Sequence, residues 1–169
     1  MKTDIYKKNK TALGVLCALC CLSVAVMLFI IIMTNNIEAF TPPEFDKEAI
    51  TGTPEVPENL GYSPLEIESG FSTFICGKLS AKNSNVDVYF TSPETNTVWL
   101  LLRIIDKTGK VIGQTGIIRP GEYVKTIVLN EVPEKEKNIK LKIIAYQPGT
   151  YTSMGTVDIN TKLSIYKQG

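Results

Sequence analysis

Four acidic residues, Glu94, Asp106, Glu122 and Asp158, are the side chains of this chain that could carry general acid–base chemistry. A pair of such carboxylates flanking a bond can hydrolyse a glycoside, one acting as acid and the other as base or nucleophile. Each of the four, however, falls in a turn-like stretch or on the polar side of an alternating segment, where a carboxylate is ordinarily a solvated charge. The 169 residues contain no histidine. That excludes Ser-His-Asp and Cys-His nucleophiles and removes the usual transition-metal ligand. Of the four cysteines, Cys17, Cys20 and Cys21 are crowded into one apolar run and Cys76 stands alone, so a four-thiolate zinc site is excluded. Gly109, Gly113 and Gly116 punctuate hairpin-like stretches and form no phosphate loop, and no acidic loop has the alternation of a calcium site. The sequence predicts a protein that is not an enzyme and that uses no metal or cofactor.

Two polar loops could carry recognition instead. One is Thr91-Ser-Pro-Glu-Thr-Asn-Thr97, with Pro93, Glu94 and Asn96 in it and Trp99 just beyond. The other runs from Tyr146 through Gln-Pro-Gly-Thr to Tyr151 and on to Met154. Binding sites concentrate in loops held by a rigid scaffold. Tyr and Trp also stack well on sugar rings, so Trp99 and Tyr151 are candidates for a glycan. The competing expectation is that Trp99 fills a core, as a central-strand tryptophan does in many sandwiches. Tyr151 is expected to be exposed.

The elements that must position these loops begin with an anchor. Thr11 to Met33 is 23 residues without a charge, a proline or an amide side chain. As a helix it would be roughly 35 Å long, against a hydrocarbon core of about 30 Å. The ten residues before it hold Lys2, Lys7, Lys8 and Lys10 against Asp4. Basic flanks stay on the cytoplasmic side, which predicts a cytoplasmic N-terminus and an outward-facing C-terminal part. A cleaved signal peptide is the rival, but its apolar core is usually only about 7–15 residues. Cys17, Cys20 and Cys21 read as small apolar residues of the helix, with acylation of Cys17 near the inner face as the alternative.

Charge divides the chain further. Residues 34–70 hold eight acids and one base, together with Pro42, Pro43, Pro54, Pro57 and Pro64. That composition predicts an extended, partly polyproline stalk. Leu65 and Ile67 alternate with Glu66 and Glu68, so Leu60 to Glu68 could instead pack as a first strand. Residues 71–169 hold 13 bases and 8 acids without a basic, aromatic-interleaved stripe, so nucleic acid is not an expected partner. Cys76 has no disulfide partner outside the anchor. The domain must therefore be stable through its core, and an apolar neighbourhood predicts a buried, inert thiol.

From residue 71 the apolar period is two. Val86, Val88 and Phe90 share a face, and Val98 to Ile105 is apolar on both faces except at Arg103. Asp106 to Lys110 reads as a hairpin loop, and Arg119-Pro-Gly-Glu122 as a type II turn. Alternation resumes at Tyr123 to Leu129, at Ile139 to Ala145, and most clearly at Val157 to Ile165. The pattern predicts an all-β fold of about seven strands, an antiparallel immunoglobulin/fibronectin-like β-sandwich preceded by a single transmembrane α-helix. A jelly roll or small barrel is the alternative.

The set Thr91-Ser-Pro-Glu-Thr-Asn, Ile104-Ile-Asp-Lys-Thr-Gly, Ile118-Arg-Pro-Gly-Glu and Lys142-Ile-Ile-Ala-Tyr resembles a group of small Firmicutes proteins. These have an N-terminal membrane helix followed by one β-sandwich. The resemblance spans residues 86–166 and implies that architecture and a Gram-positive source; it implies no activity. The chain then divides into a cytoplasmic tail (1–10), a transmembrane helix (11–33), an acidic linker (34–70) and an extracytoplasmic domain (71–169). The expected role is an interaction module at the cell surface. Its partner would be an envelope or surface protein, in a secretion, conjugation or pilus-related assembly. A carbohydrate-binding module for wall or host glycan is the alternative.

Overall fold

The computed structural model describes residues 16–30, 40–67 and 70–166. The chain splits into two compact units, Met1–Thr41 and Pro42–Gly169. In the first, residues 16–30 form a helix, α1, with side chains exposed throughout, including Cys17, Cys20 and Cys21. Its length is about 22 Å at 1.5 Å per residue. Among the described residues no helix is long and apolar enough to cross a membrane. The rest of the apolar run, 11–15 and 31–33, lies outside the described residues, as does the basic tail.

The second unit is all-β. Its strands in chain order are β1 (Ile50–Thr51), β2 (Tyr62–Ile67), β3 (Phe71–Cys76), β4 (Leu79–Lys82), β5 (Asn85–Thr91), β6 (Trp99–Ile105), β7 (Val111–Gln114), β8 (Glu122–Val128), β9 (Lys137–Tyr146) and β10 (Ser153–Tyr166). They form one curled sheet in the order β1-β8-β5-β4-β10-β9-β6-β7, with β3 also pairing β5 and β2 pairing β3. A bridge between Gly113 and Leu129 brings β7 back to the end of β8. Gly113 permits this approach, because a Cβ there would stand 2.9 Å from the Ile127 side chain.

Alternation decides which side of each strand is buried. Leu100, Leu102 and Ile104 of β6 meet Ile139, Leu141, Ile143 and Ala145 of β9 and Val86, Val88 and Phe90 of β5 in the main core. The opposite side of β6 and β9 carries Leu101, Ile144 and Tyr146, which join Ile117 in a second, smaller cluster. This accounts for the apolar character of both faces of 98–105. The expected turns are present. The Asp106 carbonyl accepts a hydrogen bond from the Gly109 N–H (3.1 Å) at the β6–β7 hairpin, and the Arg119 carbonyl accepts one from the Glu122 N–H (3.1 Å). Gly109 and Gly121 take φ of 87° and 79°, values that suit glycine. Cys76 is fully buried, as its surroundings predicted.

Three expectations are corrected. The pairing is not antiparallel throughout, since β4 runs parallel to the end of β10, in register from Leu79–Leu163 to Lys82–Tyr166. A period of two reports which face is buried and says nothing of partner or direction. Residues 71–166 form eight strands where about seven were expected, and β1 and β2 precede them, making ten among the described residues. The compact unit begins at Pro42 and not at residue 71. Proline and acid content suggested a free stalk for 34–70, but Phe45, Ala49, Val56, Leu60, Leu65 and Ile67 pack against the two clusters and recruit 42–67 into the domain. The alternating stretch around Leu65 is β2.

Candidate functional site

Three of the six residues singled out in the polar loops, Trp99, Tyr146 and Tyr151, meet at one feature, the seat of a strap formed by residues 42–51; Pro93, Glu94 and Asn96 lie elsewhere. The strap crosses the second apolar cluster beside residues 114–118. The Ile117 N–H donates to the Glu44 carbonyl (2.8 Å), and the Asp46 N–H donates back to the Ile117 carbonyl (2.9 Å). The Gly116 N–H donates to Asp46 Oδ2 at 2.7 Å, while Asp46 Oδ1 accepts from the Glu48 N–H at 2.9 Å. The approach is close enough to demand glycine: a Cβ on Gly116 would lie 2.5 Å from both the Cα and the N of Asp46.

Aromatic packing completes the seat. Phe45 meets Trp99 edge-on, with centroids 4.8 Å apart and planes at 77°. Trp99 meets Tyr151 in the same manner at 5.4 Å and 63°. The Arg119 guanidinium stands 3.8 Å from the Phe45 ring centroid, a cation–π contact on a partly desolvated ring. Glu122 steadies Arg119 by accepting from its backbone N–H at 2.7 Å and from Nη1 at 3.3 Å. Beyond this point the strap becomes β1 and pairs Ile50 with Tyr123.

Each predicted residue can now be placed. Asn96 is buried and structural: its Oδ1 accepts from the Ser72 N–H (3.0 Å), and its Nδ2 donates to the Ser72 carbonyl (2.7 Å) and to Ser92 Oγ (3.0 Å). It therefore ties the 91–97 loop to β3. Pro93 and Glu94 line a cavity of about 240 Å³ together with Gly52, Tyr62 and Gly121. Trp99 is half-buried and belongs to the second cluster, outside the main core. Tyr146, its register partner on β9, is buried in the same cluster. Tyr151 was expected to be exposed and is half-buried, because its ring is drawn onto Trp99. Its φ of 56° is costly for a bulky residue and closes the loop through an N–H donated to the Gln147 carbonyl (3.0 Å). Phe45, Asp46, Gly116 and Arg119 were missed. The one available signal was an isolated aromatic, Phe45, within a proline- and acid-rich stretch.

Three of the four carboxylates considered for acid–base chemistry, Asp106, Glu122 and Asp158, are engaged in local structure. Asp106 Oδ1 accepts from the Thr108 hydroxyl at 2.6 Å and from the N–H groups of Thr108 (2.8 Å) and Lys110 (3.1 Å). Its Oδ2 pairs with Lys137 at 3.0 Å. The Thr108 hydroxyl first, then Lys137 and the two N–H groups, hold this carboxyl well below the usual range. Asp158 pairs with Lys140 at 2.9 Å and Glu122 with Arg119 at 3.3 Å. An open groove of about 550 Å³ runs past Asp106, Lys107, Lys140, Asn160 and Lys162. Among the described residues no three Cys, Asp or Glu side chains stand together as metal ligands would. Burial, followed by the nearby Asp87 charge, pushes the Cys76 thiol up to about 11, which suits a packed sulfur better than a nucleophile.

The chain matches no protein family model and no curated protein sequence.

Proposed function

We propose that this chain is a single-pass, membrane-anchored interaction module whose β domain stands outside a Gram-positive cell and binds an envelope or surface protein. A secretion, conjugation or pilus-related assembly is the setting. One observation carries the reading. The segment that follows the apolar run is clamped onto the domain, through Asp46 on Gly116 and Phe45 on Trp99, and Tyr151 of one polar loop packs on the same tryptophan. That packing leaves the sheet surfaces and edges for partners.

The sequence supports the anchor through the 23-residue apolar run and its lysine-rich flank. The strand order supports an immunoglobulin/fibronectin-like sandwich. In that reading β2-β3-β5-β8-β1 and β10-β9-β6-β7 would be the two layers over the main core, joined through β4, which pairs with both β5 and β10. The resemblance to membrane-anchored Firmicutes proteins belongs to the same proposal.

Protease shaving of intact cells that express the chain tagged at both ends tests the topology. Loss of the C-terminal tag with protection of the N-terminal tag is expected; survival of both until lysis puts the domain inside and overturns the reading. Crosslinking in the same sample identifies the partner. The glycan reading is weaker, because Phe45 and Tyr151 both pack against Trp99. Glycan affinity that falls in Tyr151→Ala would favour it.

A further inference from the structure

The longest strand, β10, pairs with β9 from Ser153–Tyr146 to Leu163–Lys137. On its other side it meets β4 only from Leu163 to Tyr166. Just before that point, the Thr161 hydroxyl donates to the Gly77 carbonyl at 3.5 Å. Residues 153–160 therefore present an edge with no strand against it among the described residues. Proteins usually protect such an edge with proline, an inward-pointing charge or a bulge. The outer edge of β2 carries Pro64. In β10 the inward positions Gly155, Val157 and Ile159 are uncharged and half-buried, no proline occurs, and the one irregular step lies at Ser153/Gly155.

We infer that this edge pairs with the same edge of a second copy, antiparallel about a two-fold axis at Val157, to make one sheet continuous across both domains. The fold itself restricts the register. A partner strand must stop before Leu163, where β4 takes over. Two centres allow seven paired residues per chain within 153–160. Met154, the extra residue of the irregular step, falls within both; centring on Thr156 sets its thioether against the Asp158 carboxylate, whereas centring on Val157 pairs 154 with 160, 155 with 159 and 156 with 158. That register sets Gly155, which has no side chain, against the bulky Ile159, and Val157 against itself. On the outer side it sets Asp158 against Thr156 and Met154 against Asn160, so no like charges face each other. Centring on Asp158 would oppose two carboxylates. Met154 is 49% exposed and gains cover in the pairing. The self-complementary pattern is what selects a second copy as the occupant. The inference holds on either side of a membrane.

The test uses the full chain in detergent micelles, with Cys17, Cys20 and Cys21 replaced by serine and a nitroxide on Asn160→Cys or Ser164→Cys, both exposed positions. With a rise near 3.4 Å per residue, a two-fold axis at Val157 puts like labels about 20 Å apart at position 160 and about 48 Å apart at 164. Equal distances at the two positions, or a monomeric mass, overturn the inference. Association through α1 alone is distinguished with Thr156→Pro and Val157→Pro. Adjacent residues aim their N–H groups at opposite edges of a strand, so one of the two prolines removes a donor from the free edge and leaves the pairing with β9 intact. The variant that keeps its circular dichroism must lose the 20 Å distance. If it keeps that distance, the edge is not the contact.

Discussion

Replacing Gly116 with alanine isolates the strap from the rest of the fold. The new Cβ would lie 2.5 Å from the Asp46 backbone and 2.8 Å from the Phe45 carbonyl carbon. Those are backbone atoms, and they cannot rotate away as the end of a side chain could. Residues 44–46 must lift. Three hydrogen bonds go with them, of which two are neutral at about 1 kcal/mol each and one, to the Asp46 carboxylate, is worth about 2 kcal/mol. The Phe45–Trp99 edge contact adds about 1 kcal/mol. Against this gross loss of about 5 kcal/mol, three released residues regain backbone entropy of about 1 kcal/mol each. The net destabilisation is about 2 kcal/mol, a large share of a stability of about 5–15 kcal/mol. Trp99 is the single tryptophan of the chain, so its fluorescence reports on the seat directly. Gly116→Ala should show red-shifted emission and easier acrylamide quenching before any urea is added, with an unchanged far-ultraviolet dichroism and a lower urea midpoint. Emission and midpoint both equal to the parent's would refute the strap as described. A collapse of the dichroism would refute its separability from the sheet.

Three further outcomes follow from the same geometry. Asp106 has a folded-state pKa depressed below that of the unfolded chain. Its contribution is therefore complete above about pH 4, the unfolded value, and disappears as pH falls toward the folded one. Acid unfolding of Asp106→Asn should accordingly show a shallower loss below about pH 4 than the parent, and parallel curves would contradict the assignment. Asn96→Ala strands the half-buried Ser72 N–H and carbonyl and should cost about 1–2 kcal/mol in urea titration, whereas Glu94→Ala should stay within about 0.5 kcal/mol. Cys76, fully buried with its pKa pushed up to about 11, should react with a thiol reagent at pH 8 only at the rate of domain opening. With the exposed Cys17, Cys20 and Cys21 replaced by serine, rapid labelling of Cys76 in the folded chain would mean that β3 is not packed as observed.

Much of the β domain was legible in the residue pattern because alternation is a local property. The burial of Leu100, Leu102 and Ile104 and of Ile139, Leu141, Ile143 and Ala145 follows from side chains pointing to opposite faces at each step, whereas in β5 an irregular step between Asp87 and Phe90 buries Tyr89 as well as Val88 and Phe90. The turns at 106–110 and 119–122 were legible for the same reason, since glycine and proline limit φ without reference to the rest of the chain. The loop residues were recognised as unusual, but their role was not. Asn96 has the composition of a binding loop, and only its contact with Ser72, 24 residues away in sequence, shows that it is a brace.

By itself, the sequence determined the all-β class of the C-terminal part, the alternation that assigns each strand its buried face, the inert character of Cys76 and the apolar run at 11–33. All of these depend on residue type and short-range spacing. The tertiary structure alone decided that 42–67 belongs to the domain, that β4 lies parallel to β10, and that Gly116 receives Asp46 from 70 residues away. It also decided that 153–160 of β10 is left without a neighbour on one side among the described residues. Those facts concern which distant segments meet, and a two-residue period carries no record of partner, direction or edge.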